Sequence, residues 1–251
     1  MRSNIALIAL CLALALAPLA RRAPAGTRWL AGAESTTWML RDDTDGGPIV
    51  TKETKESTST YTINARYPQL PEDRGSKFNI EAGNLISKRI GAFKQRVAGR
   101  GSAASRAGLT IDYHVTFSNG RLLSVAFPVE SNLGHSIRET MCLTYDLVAG
   151  KGLSMADIFR PDADYLRVMA EYCIPRLTSR LDGKSDAAMV KQGASATADN
   201  YKIWNLTQSG IEITFDPNQV APASAGVQKL IVPYTLLRQL VAPGSPVHAL
   251  T

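Results

Sequence analysis

The chain has 251 residues, 45% of them hydrophobic and 20% charged, with a formal net charge of +6. That composition belongs to a soluble globular protein with enough apolar material for a sizeable core, in one domain or two small ones. It holds no long basic run with interleaved aromatics, which argues against nucleic acid as a partner.

Residues 1–25 read as a secretory signal peptide: Arg2, the apolar run Ile5 to Ala20, then small residues. Ala23-Pro24-Ala25 offers one cleavage site and Ala20 another. The run is short for a bilayer span, which needs about 20 residues. Arg21 and Arg22 directly behind it oppose translocation, so an uncleaved N-terminal anchor is the alternative. Cys11 lacks the small residues that precede a lipidated cysteine. Losing the leader removes Arg2, Arg21 and Arg22 and no acid, which lowers the net charge from +6 to +3. The expected location is periplasmic or secreted, with no transmembrane span in the mature chain.

Residues 26–60 read as an N-terminal extension with the first strands. Trp29, Leu30, Trp38, Met39 and Leu40 offer core material, and Asp42 to Pro48 is a loop. That acidic loop lacks the downstream Glu and the flanking helices of a calcium motif. No metal or cofactor is expected anywhere in the chain. Residues 61–241 read as a single α+β domain and residues 242–251 as a tail.

Tyr61, Ile63, Ala65 and Tyr67 alternate with polar residues, as in a strand with one buried face, and Pro68 and Pro71 end it. Ala82, Leu85, Ile86, Ile90, Phe93 and Val97 then recur at helical spacing, with Lys88, Arg89, Lys94 and Arg96 on the solvated side. Gly99 to Gly108 is a loop. Leu109, Ile111, Tyr113, Val115 and Phe117 predict a strand. Ser118-Asn119-Gly120 is a hairpin turn, since Asn-Gly tolerates positive φ. Leu123 to Val129 return, and Met141, Leu143, Tyr145 and Leu147 add a third strand to an antiparallel meander. Ser154 caps a short helix through Phe159. A longer helix runs from Asp162 to Leu181, kinked or interrupted at Pro175. Residues 182–198 read as a loop. A hairpin spans Tyr201–Leu206 and Ile211–Phe215, followed by a strand from Val227 to Val232 and a helix from Tyr234 to Val241. Without a βαβ rhythm, the expected fold is α+β, an antiparallel sheet with helices packed on one face.

Two cysteines follow the leader, Cys142 and Cys173. An even count in an oxidising compartment predicts a disulfide between them, tying a strand to a helix. Catalytic motifs are absent: no zinc-binding H-E-x-x-H, no G-x-S-x-G elbow, no phosphate-binding glycine loop. His114 falls on the polar side of its strand and His248 in the tail. His135, next to Gly134 in a loop, either fixes that loop or lines a site.

The stretch Tyr145-Asp146-Leu147-Val148-Ala149-Gly150-Lys151-Gly152-Leu153-Ser154-Met155-Ala156-Asp157-Ile158-Phe159 resembles the Y-D-L-x-T-G-K-x-L-x-L-x-D-L-F segment of an extracytoplasmic domain family. That family supplies the outer domain of the lysozyme-sensing anti-sigma factor RsiV and accompanies a deacetylase domain in PdaC. Gly134-His135 is similar to the family's G-G-A-H stretch. Asn200 to Ile203, Gly210 to Phe215, Val220-Ala221-Pro222 with Gly226, and Ile231 to Tyr234 resemble its closing pattern. Tyr67 to Leu70 resembles its N-terminal companion segment. Asn132-Leu133 and Ala223-Ser224-Ala225 depart from the pattern, and the cysteine pair is no part of it.

The resemblance implies an exported binding module at the cell envelope, not an enzyme. Its implied partner is a protein such as a lysozyme-type muramidase, or a peptidoglycan glycan. Candidate recognition loops are Gly134 and His135, with Asp146 after the next strand, and Asp216, Asn218 and Pro222, since loops on a rigid sheet commonly carry recognition. Two alternatives stand beside it. One is an envelope hydrolase using His135 with Asp146 or Asp157; the other is a structural interaction domain without a small-molecule site.

Overall fold

The computed structural model describes residues 27–30, 38–41, 48–100 and 105–251. The leader expected over residues 1–25 and the acidic loop at 42–47 lie outside them. Among the described residues nine strands form one sheet, three form a second, and there are five α-helices. The fold is α+β and mostly antiparallel, as expected.

The large sheet contains β1 (Thr27–Leu30), β2 (Trp38–Arg41), β3 (Ile49–Ser57), β4 (Tyr61–Gln69), β5 (Ala107–Ile111), β6 (His114–Ser118), β7 (Leu122–Asn132), β8 (Ser136–Asp146) and β9 (Lys151–Gly152). Their order is β1-β2-β3-β4-β5-β7-β8-β9, with β6 also on β7. Only the β4–β5 pairing is parallel among them. The helix α1 (Glu72–Ala98) supplies the long crossover that a parallel pair needs. Pro68 does not end β4; it pairs with Thr51. Past Ala65 the strand has left β5 behind, and such an edge position tolerates a missing N–H.

The strand expected over 109–117 breaks at Asp112-Tyr113, and both halves pair with β7. Opposite the break stands Pro128, whose carbonyl accepts the Asp112 N–H (3.1 Å) but which has no N–H to return. The hairpin turn forms at the expected place by a different device. No positive φ occurs there; instead Asn119 Oδ1 accepts the N–H groups of Arg121 (2.9 Å) and Leu122 (2.6 Å).

The strand β7 serves two cores. Leu123, Val125, Phe127 and Val129 face α1, together with Phe78, Ala82, Ile86 and Phe93 of that helix. Leu122 on the other face joins the C-terminal core, built from α2 (Met155–Ile158), α3 (Tyr165–Arg180), α4 (Ala187–Gly193), the small sheet β10 (Trp204–Leu206), β11 (Gly210–Phe215), β12 (Gln228–Pro233), and α5 (Tyr234–Leu237). The two sheets are joined by a buried polar contact. Ser124 Oγ accepts from Leu206 N (3.0 Å) and Asn205 Nδ2 (3.0 Å), and shares a hydrogen bond with Thr144 Oγ1 (2.7 Å).

Three expectations need correction. The segment 182–198 contains α4, which Asp186 caps by accepting the Ala188 N–H (3.0 Å). The helix α3 is not interrupted at Pro175. Cys142 and Cys173 are free thiols, not a disulfide. Each is held by a different neighbour: Cys142 Sγ lies 3.8 Å from the Lys202 carbonyl, while Cys173 is buried in α3 beside the Tyr201 hydroxyl.

Candidate functional site

The helix α1 and the strand β8 run alongside each other in opposite directions. The Phe78 ring meets Tyr145 edge-on with centroids 5.4 Å apart. Farther along, Arg89 Nη2 donates to Glu139 Oε2 (2.7 Å), and the Arg100 guanidinium lies beside Gly134. Side chains of the helix lie close over two glycines: a Cβ on Gly152 would stand 2.5 Å from Glu81 Oε1, and one on Gly150 would stand 2.8 Å from Lys77 Cδ. Gly150 also has φ +66°, which favours glycine. The positive φ accounts for Gly150, and both glycines leave room for the Lys77 and Glu81 side chains of α1 over the turn that ends β8.

A cavity of about 600 Å³ follows the outer edge of β8. Its floor is Cys142 to Thr144. One wall is Glu81 of α1; the other is the 198–204 segment, with Tyr201, Lys202 and Trp204. Residues 152–157 close one end, and Tyr165 and Leu166 at the start of α3 complete it. Tyr165 is fixed by stacking on Phe159, with centroids 4.3 Å apart and planes 12° apart. The volume is that of an ordinary ligand pocket.

Two ionisable groups here, Asp157 and Cys142, are settled, not poised. Asp157 accepts from Lys151 Nζ (2.5 Å), Ser154 Oγ (2.6 Å) and Ser154 N (2.8 Å). The lysine and the serine hold its carboxyl down at about 2. It completes a capping box on α2, as the Ser154 cap anticipated. Burial raises the Cys142 thiol above its ordinary range, so it is protonated at neutral pH and a poor nucleophile.

The residues singled out in the sequence fall in three places. Gly134 and His135 form the tip of the β7–β8 hairpin, where Gly134 has φ +108° and His135 is exposed. Asp146 lies at the far end of β8, roughly 35 Å away at the rise of an extended strand. It is 2% exposed and accepts from Arg121 Nη2, Val148 N and Ala149 N, all at 3.0 Å. Burial opposes its charge, but those N–H groups and Arg121 prevail and hold the carboxyl below its usual range. Asp146 therefore fixes a turn. Asp157 sits at the same end of the strand, so His135 shares a site with neither carboxylate, and the acid–base pairing drawn from the sequence is not assembled.

Asp216 lies at the edge of β8 itself, with Oδ2 accepting the Thr140 N–H (3.3 Å). Burial raises its carboxyl above the ordinary range. Asn218 and Pro222 shape the following loop. Asn218 has φ +70° and its Oδ1 accepts the Ala223 N–H (3.0 Å), while Pro222 precedes a single 3-10 turn. That loop is pinned by Gln219 Nε2 to the carbonyls of Gly193 and Asn200 (both 3.0 Å). The sequence reading missed Glu81, Thr144, Tyr165, Lys202 and Trp204 as groove residues. Only the glycines of the 145–159 segment hinted that something approaches it closely.

Residues 156–235 match the family described as "Protein of unknown function (DUF3298)". Over that stretch, about a third of its length, the chain is similar to this family. It is 23% identical over 212 residues to the Peptidoglycan-N-acetylmuramic acid deacetylase PdaC of Bacillus subtilis (strain 168). That alignment covers 83% of this chain and 45% of PdaC, so the chain spans less than half of that relative. A DUF3298 family structure from Pseudomonas aeruginosa PAO1 superposes with a TM-score of 0.59 at 15% identity, over 78% of this chain and 96% of that one. One from Bacteroides fragilis NCTC 9343 gives 0.57 at 14%, over 82% and 98%. At such identities the structures share the fold. No helix among the described residues is long and apolar enough to cross a membrane.

Proposed function

We propose that this protein is an exported cell-envelope binding module, periplasmic or secreted, and that its ligand is a fragment of peptidoglycan held in the groove along β8. The groove itself carries the reading. It joins an apolar, aromatic side at Tyr165, Leu153 and Leu166 to the carboxylate of Glu81 and to the polar side chains of Thr144, Ser154 and Lys202, which Ser124, Asp157 and Asp199 hold in place. Convergent polar groups on a largely apolar lining are what a ligand pocket needs. Asp157 is tied into the cap of α2 and burial keeps the Cys142 thiol protonated, which favours holding a ligand over transforming it. The similarity to PdaC, a protein named for acting on peptidoglycan, points to the same polymer.

Calorimetry of the exported chain with soluble peptidoglycan fragments tests this. Saturable heat that weakens at least tenfold in Tyr165→Ala is the expected result. Heat unchanged by that substitution refutes the groove. A lysozyme is the second titrant, because the resemblance to the RsiV outer domain suggests a muramidase as partner. Binding to lysozyme alone replaces the glycan-wall reading with protein recognition.

A further inference from the structure

The floor of the groove is the open edge of a sheet. Leu153 N–H donates to the Thr144 carbonyl (2.7 Å) and Thr140 N–H donates to Asp216 Oδ2 (3.3 Å). The backbone groups of the even-numbered residues in this part of β8 thus point away from β7. Cys142 stands between them in an unbroken register, so its N–H and carbonyl point the same way. Neither has a hydrogen-bond partner among the described residues. Residue 153 closes the edge on one side and the Asp216 carboxylate on the other. The gap from 140 to 144 is roughly 13 Å long at the rise of a strand. Glu81 lines the same cavity beside Gly152 and makes no hydrogen bond or ion pair among the described residues.

We propose that this gap takes a short extended peptide bearing an amine, added to β8 as one more strand. The inference rests on the groove being the binding site and assigns its chemistry: of the two components of peptidoglycan, sugar chain and short peptide, the groove takes the peptide. A ligand residue opposite Cys142 gives its N–H to the Cys142 carbonyl and receives the Cys142 N–H on its own carbonyl. The ligand amine meets the Glu81 carboxylate in a charge-assisted hydrogen bond. Its side chains rest on Leu153, Leu166 and Tyr165. Because Asp216 already occupies the Thr140 N–H, a long strand from a protein partner has no room, and the fit is to about three residues.

The test is calorimetry of the whole exported chain with four probes. These are acetyl-Ala-Lys-Ala amide, the same peptide with norleucine for lysine, the set of its single N-methyl derivatives, and peptide-free N-acetylglucosamine oligomers. The lysine peptide is expected to bind, and norleucine to weaken it roughly tenfold in the natural protein and not in Glu81→Gln. One N-methyl position is expected to cost roughly tenfold or more, by removing the donor to Cys142. Equal affinity for lysine and norleucine peptides, or no N-methyl position that matters, overturns the proposal. Binding of the sugar oligomers alone also overturns it while leaving the groove reading intact. Fragment binding undiminished in Tyr165→Ala refutes the groove reading itself. An unfolding midpoint of Glu81→Gln equal to that of the natural chain shows that a change in affinity reports on contact, not on folding.

Discussion

Replacing Ser124 by alanine attacks the seam between the two sheets at one oxygen. Ser124, Asn205 and Leu206 are all fully buried, and Thr144 is nearly so. Removing Oγ strands the Leu206 N–H, the Asn205 amide and the Thr144 hydroxyl in a region water does not reach. Asn205 Oδ1 already lacks a partner there, so the site has little spare capacity to re-pair. Each buried group left unsatisfied costs about 1–3 kcal/mol, and two to three such groups put Ser124→Ala at about 3 kcal/mol. That is a large part of the roughly 5–15 kcal/mol that holds a typical domain. Urea unfolding, followed by tryptophan fluorescence, measures it: the midpoint falls while the slope stays constant. The triple variant Ser124→Ala, Thr144→Val, Asn205→Leu is the sharper test. It removes the stranded side-chain partners with their acceptor and is expected to recover about half of the loss. A single variant within about 0.5 kcal/mol of the natural chain refutes the claim that this contact holds the sheets together.

Four further outcomes are expected. Asp157→Asn loses about 1 kcal/mol at neutral pH, a figure reduced for solvent screening because the carboxylate is partly exposed. Its carboxyl sits at about 2 in the folded chain against 3.8 unperturbed, so that stability is present above about 4 and lost as pH falls toward 2. Urea midpoints of the two proteins across that range converge if the reasoning holds. Asp216 has the opposite sign, since its raised carboxyl costs stability when ionised. Asp216→Asn is therefore as stable as the natural chain or about 1 kcal/mol more stable at pH 7, with the gain gone near pH 4, by the same unfolding assay. Leu177→Ala, a fully buried position in α3, costs about 2–5 kcal/mol by cavity formation, measured as a thermal shift. Thiol titration of the mature chain finds no fast-reacting group when native and two after unfolding. Burial pushes Cys173 up to about 12 and raises Cys142 as well, and one disulfide found by mass spectrometry contradicts this.

Much of the fold was legible because its strands alternate. Tyr61, Ile63, Ala65 and Tyr67 gave β4, and Leu123 to Val129 gave the inner face of β7. The period of α1 was equally plain. What local pattern does not carry is pairing. The parallel contact of β4 with β5 spans the whole of α1, and the second sheet, β10–β12, is joined to the first through a serine 81 positions before Asn205. The break at Asp112 is set by Pro128 on a neighbouring strand, so the alternation across it looked continuous. The helix α4 was hidden by small and polar residues, although Asp186 marked its start. In the site, Ser154 was visible as a helix cap, whereas Asp157, which completes the cap, read as a possible acid or base. Glu81, Tyr165 and Lys202 reach the groove from three distant segments, and each reads as an ordinary surface residue in isolation.

The strand β7 lends alternate side chains to opposite faces, and this has a consequence for how the chain divides. The family match begins at residue 156, yet the core it encloses includes Phe117 and Leu122 and is stitched to Ser124. A fragment cut at that boundary leaves its small sheet with an uncovered apolar face and a stranded Leu206 N–H. The α1 half, cut the other way, keeps β7 but bares its second face. Neither piece keeps its core covered on its own, so the unit expected to melt as one is larger than the matched stretch 156–235.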